Sequence, residues 1–175
     1  GLSDALVEDN SLYIGNDPSS TTSTAQYNVA VGTTALDAIT TGDNNTAVGY
    51  DALTANTTGD NNTAVGYDAL SSNTTGSVNS ALGFRALYAN TTGEYNTASG
   101  RMALFSNTTG SYNIALGTEA GDVITTGNYN TIIGYQSDPS AVDASNQIVI
   151  GKGATGVGDN YAVIGNSSVT RVYAA

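Results

Sequence analysis

The sequence predicts an all-β fold, a parallel β-roll or solenoid of 17-residue coils, on three observations. Nine glycines, Gly15, Gly32, Gly49, Gly66, Gly83, Gly100, Gly117, Gly134 and Gly151, recur at intervals of seventeen residues. An asparagine stands four residues before most of them, at Asn28, Asn45, Asn62, Asn79, Asn96, Asn113 and Asn130, and a second glycine closes the clean units at Gly42, Gly59, Gly76, Gly93, Gly110 and Gly127. Between that Asn and the first Gly lies a segment such as Thr46-Ala47-Val48, which is β-branched, bounded by turn formers and therefore a short strand. So small a unit cannot enclose an apolar face alone, so its copies must stack.

Alternation along each strand assigns its faces. The position before the glycine is apolar in nearly every copy, so Ile14, Val31, Val48, Val65, Leu82, Leu116, Ile133 and Ile150, with Ile164 in the last strand, are expected to fill the core. Ala30, Ala47, Ala64, Ala81, Ala98 and Ala115 then face the other way, and Ser99 is the one polar intruder in the core row. An Asp in place of Val48 or Val65 is expected to unfold the array.

The next segment carries Leu36, Leu53, Leu70, Leu87 and Leu104, each preceded by Ala. It is too short for a helix and reads as one helical or 3₁₀ turn whose Leu packs beneath the rung, ended by Asn-Thr-Thr-Gly with a left-handed terminal residue. The corners of the coil fall at the glycine row from Gly32, Gly49, Gly66, Gly83 and Gly100 to Gly117 and Gly134, and at Asn45, Asn62, Asn79, Asn96 and Asn113.

Both ends depart from the pattern. Residues 1–26 form a cap and first coil, with Asp17-Pro18 and a Ser/Thr-rich connector; 27–136 form the array; 137–175 form a transition to a downstream region. In that last part Asp138-Pro139 interrupts the run, and the strands ending at Ile150-Gly151 and Ile164-Gly165 are fourteen residues apart, so the coil there is expected to be tighter and better packed.

Composition narrows the function. A net charge of -11, from 4 basic and 15 acidic residues, opposes contact with nucleic acid or anionic lipid. With 0 Cys there are neither disulfides nor thiolate metal sites. One Val and one Leu per unit are too little core to offset an ordering cost of about 1.5 kcal/mol per residue in a lone chain, which points to oligomerisation. The nine rungs, at about 4.8 Å each, would make a rod roughly 40 Å long.

Four kinds of chemistry are open to a chain of this composition. The absence of His and Cys removes the commonest catalytic bases and nucleophiles, and Asp51 and Asp68 give way to Thr34, Arg85 and Met102 in the same register, as drifting solvent-facing positions do. No enzyme activity is expected. Gly-Asp-Asn-Asn at 42–45 and 59–62 offers oxygens of the kind Ca²⁺ takes, but Asx turns explain it without an ion, so neither metal nor cofactor is assigned. The Thr pairs, Thr57-Thr58 for example, suggest a hydroxyl ladder that could bind ice or a mineral lattice as a monomeric solenoid. Tyr27, Tyr95, Tyr112 and Tyr129 before the Asn, and Tyr50, Tyr67, Phe84 and Tyr135 after the Gly, could bind sugars or fill grooves between chains, and packing is the favoured role.

The strings Gln147-Ile148-Val149-Ile150-Gly151-Lys152-Gly153-Ala154 and Tyr161-Ala162-Val163-Ile164-Gly165-Asn166 resemble the head repeats of trimeric autotransporter adhesins. The longer units, with Asn-Thr-Ala-Val-Gly and Thr-Thr-Gly, are similar to repeats of bacteriophage tail fibres and related surface proteins that end in a cleavable trimerising chaperone. Together these cover most of 12–166, although the seventeen-residue period exceeds that of adhesin heads. What the resemblance implies is a left-handed roll, assembled as a homotrimer side by side or intertwined. It would sit outside the cell on a virion tail or bacterial surface and attach to a host receptor or glycan.

Overall fold

The structure is a computed structural model that describes residues 5–8, 10–15 and 24–169. Eleven strands form one sheet in strict chain order. They are β1 (Ala5–Glu8), β2 (Ser11–Ile14), β3 (Val29–Val31), β4 (Thr46–Val48), β5 (Thr63–Val65), β6 (Ser80–Leu82), β7 (Thr97–Ser99), β8 (Ile114–Leu116), β9 (Thr131–Ile133), β10 (Ile148–Ile150) and β11 (Ala162–Ile164). β1 lies antiparallel on β2, and each later pair is parallel with equivalent residues opposite one another, Ala47 on Ala64 and Val48 on Val65. The chain is thus an all-β solenoid, one strand per coil. The Asp17-Pro18 connector lies outside the described residues.

The faces of the strands are reversed from the sequence expectation. Ala30, Ala47, Ala64, Ala81, Ala98 and Ala115 are fully buried. The row expected inside points outward: Val48, Val65, Leu82, Leu116 and Ile164 are 36–54% exposed, and Ile14, Val31, Ile133 and Ile150 are half-buried. The coil is the reason. Its opposite wall carries Leu36, Leu53, Leu70, Leu87 and Leu104, all fully buried as expected, with Ala35, Ala52, Ala69, Ala86 and Ala103 beside them. A Leu reaching across so narrow a tube leaves room for a methyl group on the strand side and nothing larger. An exchange of volumes shows the rule: where Gly121 replaces the wall Leu, Ile132 replaces the strand Ala, and a Cβ on Gly121 would come within 3.5 Å of Ile132 and 3.3 Å of Leu104.

The Leu segment is also not helical. Asp51 and Leu53 have φ 52, Asp68 and Leu70 φ 55 and 52, so left-handed residues alternate with right-handed ones and the left-handed positions belong to the Leu, not to the Asn that follows. Asn56 N–H closes an i→i+3 turn on Leu53 C=O, while Leu53 N–H leaves the turn to reach Ala69 C=O on the next rung, 3.1 Å away. Each left-handed Leu carries a steric cost, offset by burial and by a hydrogen bond in the stack.

Two columns of buried amides hold the rungs in register. Each Asn of the first column accepts, at Oδ1, the backbone N–H of the next Asn, as in Asn45 to Asn28 at 2.8 Å and Asn62 to Asn45 at 2.9 Å, and gives its own Nδ2–H to the closing glycine carbonyl, Asn45 to Gly59 at 2.9 Å. The second column, Asn56, Asn73, Asn90 and Asn107, was not anticipated; its members donate Nδ2–H up the stack, Asn73 to Asn56 Oδ1 at 2.8 Å, and to a glycine three residues on. Ile39 and Ile124 occupy the same register at its two ends, and Asn107 Oδ1, next to Ile124, is a buried acceptor with no donor. Gly66 shows why the corners need glycine: φ is +143, and a Cβ would stand 2.4 Å from the Gly83 carbonyl oxygen.

The coil from β9 to β10 keeps the seventeen-residue period, and the tighter, fourteen-residue coil follows β10; at their boundary Gln147 replaces Asn and its longer amide reaches Ser140 Oγ at 2.6 Å and Asp159 at 3.2 Å. The tighter coil is not better packed, since Val149 is fully buried but Val163 of β11 only half-buried. The inverted core has a direct test by unfolding in dilute solution: Leu70→Ala lowers stability by about 2–5 kcal/mol, whereas Val65→Ala, on the outer face, costs less than about 1 kcal/mol. Equal losses would refute the arrangement.

Candidate functional site

The feature that a solenoid of this shape offers to a partner is the outer face of its sheet. Two columns of side chains project there, one from the first and one from the third residue of each strand. The first runs from Val29 through Thr46, Thr63, Ser80 and Thr97 to Ile114, Thr131 and Ile148; the third is the aliphatic row that runs through Val48, Val65 and Leu82 to Leu116, broken once by Ser99. From β3 to β10 neither column contains a charged residue, on a chain of net charge -11. Strand spacing near 4.8 Å makes the strip continuous along the rod.

Exposed aromatic residues bracket this strip on both sides. Tyr50, Tyr67 and Phe84 stack with centroids 5.2 and 5.5 Å apart on the glycine side, and Tyr95, Tyr112 and Tyr129 at 4.8 and 5.0 Å on the asparagine side. A sugar stacks on a ring face, and both faces of Tyr67 and Tyr112 are covered by their neighbours. These ladders therefore present ring edges, which suits packing against protein better than a sugar platform.

The polar candidates have structural work. Asp68, expected on a solvated face, is 7% exposed and accepts Arg85 Nε–H at 2.9 Å, while Arg85 lies 5.1 Å above the Phe84 ring. Thr34 donates to Asp51 in the same column. Asp43 Oδ1 takes the Gln26 N–H and Asp60 Oδ1 the Asp43 N–H, both at 2.7 Å, so each caps the rung before it; Ser77 does the same for Asp60 at 3.0 Å. The register needs an acceptor side chain, which is why Asp, Ser and Asn alternate there. The first Thr of each pair is likewise occupied: Thr57 Oγ1–H is given to Thr74 C=O at 3.0 Å, Thr74 to Thr91 at 3.1 Å and Thr91 to Thr108 at 3.0 Å.

One acidic pair, Asp122 and Asp138, stands in the last two seventeen-residue coils. Burial, then the neighbouring Asp122 carboxylate, pushes Asp138 up to about 6, and burial with Glu119 raises Asp122 as well. Asp138 Oδ1 is buried without a donor. Among the described residues no group of three or more acidic or imidazole side chains converges as a metal site, and no helix is long and apolar enough to cross a membrane.

No protein-family model, curated protein or solved structure matches the chain.

Of the residues singled out in the sequence, the structure brings the aliphatic row and the two aromatic sets to one face, sends the Asn and Leu rows inside, and leaves the register glycines from Gly32 to Gly151 half-buried at the corners. The signal for the outer face was present in Ser99: a row that tolerates serine is wet, and a row of unbroken alanine is not. Because a carboxyl raised in the folded state binds its proton more tightly there than in the unfolded chain, stability is fully present below pH ~4 and is lost as pH rises through about 6. Asp138→Asn is accordingly expected to flatten the thermal-stability profile between pH 4 and 7, raising stability at pH 7.5 by about 1 kcal/mol after allowance for partial solvation. An unchanged pH slope would show that the pair does not carry it.

Proposed function

We propose that this chain is a structural and binding segment of an extracellular fibre, a homotrimeric left-handed β-roll of the tail-fibre or surface-adhesin kind that attaches a virion or bacterium to its target. The observation that carries the reading is the uncharged aliphatic strip. Val48, Val65, Leu82 and Leu116 lie 36–47% exposed in line along the sheet, interrupted only at Ser99, and so long an uncharged row of exposed aliphatics marks a surface made to be covered. Three copies set around an axis parallel to the rod would each turn this strip inward. The acidic and Asn/Thr-rich surfaces would remain outside, available to a receptor or glycan. The Thr57 column supports the lattice-binding alternative poorly, since its hydroxyls are donated within the stack.

The expected outcome in analytical ultracentrifugation is a stable trimer at micromolar concentration. Val65→Asp with Leu82→Asp is expected to give a monomer that keeps its β-sheet circular dichroism, because these side chains support the assembly and not the coil. A wild-type chain that stays monomeric at 50 µM, or a double variant that stays trimeric, would overturn the reading; thermal hysteresis would favour the lattice binder.

A further inference from the structure

We infer that the residues flanking the strand face form a size code that sets copies of this chain side by side with equal rungs level, one copy's asparagine flank against the next copy's glycine flank. This rests on the fibre reading and names its contact.

The two flank positions of a rung are the residue before the register Asn and the residue after the register Gly. At β4 they are Asn44 and Tyr50, at β5 Asn61 and Tyr67, at β6 Val78 and Phe84. The order then reverses, to Tyr95 and Arg101 at β7 and to Tyr112 and Thr118 at β8; β3, with Tyr27 and Thr33, has the reversed order too. Each of these six rungs has one ring, on one flank only; β9, with Tyr129 and Tyr135, has two. The rings are 41–57% exposed.

No contact between the two flanks of one chain enforces this exclusion. The two positions are six residues apart with an extended strand between them, roughly 20 Å, so their side chains do not meet. The body that senses both must span the face. A rotation axis parallel to the rod provides one: from β3 to β8 it brings the ringless flank of each rung, which is Thr, Asn or Val and at β7 the flexible Arg101, against the ring of the same rung on the next copy. A slip of one rung ends this. In one direction Phe84 of β6 meets Tyr95 of β7 while Thr33 meets Asn44; in the other Tyr50 meets Tyr27 while Arg101 meets Val78. Ring opposes ring at one level and a gap opens at another, so the point where the rings change sides fixes the register.

Uncharged strips make like copies acceptable partners despite the charge of -11. The geometry at the new position is also permitted, because Asn61 has φ 58 and Tyr95 holds φ 57 in the same register.

The test compares three chains by sedimentation equilibrium: wild type, Asn61→Tyr, and Asn61→Tyr with Tyr67→Asn. The single variant puts two rings in one rung and is expected to weaken association about tenfold; the double variant restores it, with thermal melts confirming that each chain is folded. With 0 Cys in the chain, Asn61→Cys with Tyr67→Cys is expected to cross-link between copies, while Asn61→Cys with Phe84→Cys, one rung off, is not. A wild-type oligomer in which the single variant associates as tightly, or the offset pair cross-links as well as the level pair, would overturn the size code and leave the fibre reading standing. A monomeric wild type would overturn both.

Discussion

The hydrogen bond from one rung to the same position on the next is the interaction on which everything else in this molecule depends. Backbone N–H groups of the strands, corners and Leu segments, the amides of both Asn columns and the hydroxyls of the Thr column find partners about seventeen residues away. No rung satisfies all of its own buried polar groups, and a buried amide left unpaired costs about 1–3 kcal/mol. The stack is therefore cooperative between neighbours, and its weak places are those where the column changes composition. Asn107 is one, facing Ile124 where another Asn would complete the ladder. The last full-length coil is the other, where Asp138 and Asp122 bring two carboxyls together.

This constraint also explains why the interior can be so poor in apolar volume. The inner tube holds one Leu and several Ala methyls per rung, an amount of burial that would not by itself order seventeen residues. The amide columns add directional bonds in a dry interior, where each reinforces the next. The same narrowness expels the larger aliphatics. Val48 and Leu82 are outside because a Leu from the far wall has taken the space, and this leaves a hydrophobic face that none of the described residues covers.

The repeat, the strands, the glycine corners, the first Asn column and the buried Leu row were legible in the sequence because each follows from spacing and backbone chemistry. The sense of the strand face was not, since a period of two gives two faces and is silent on which is enclosed. Size gave the wrong answer: in a wide sandwich the larger row would be inside, but in a coil with a single slim channel the constant small row is. Asn56, Asn73, Asn90 and Asn107 were legible as a column and were absorbed into a turn signal; the left-handed residues of that segment are the Leu three positions earlier, a conformation that propensity alone does not suggest.

Between function and fold the link is the division of labour among faces. The inside is spent on holding rungs in register, the charged columns on capping and pairing, and the aromatic ladders on stacking along the rod, so that each of these sets is already used by the chain itself. The strand face is different. Its hydroxyl and aliphatic columns are level, uncharged and bordered by rings whose sides change between Phe84 and Tyr95. A ligand small enough to be read by one rung would not need that change to be correlated across the face, whereas a long partner with the same rise per rung would feel it at every level. Of all partners, another copy of this chain is the one guaranteed to have that rise, because the same repeat sets it.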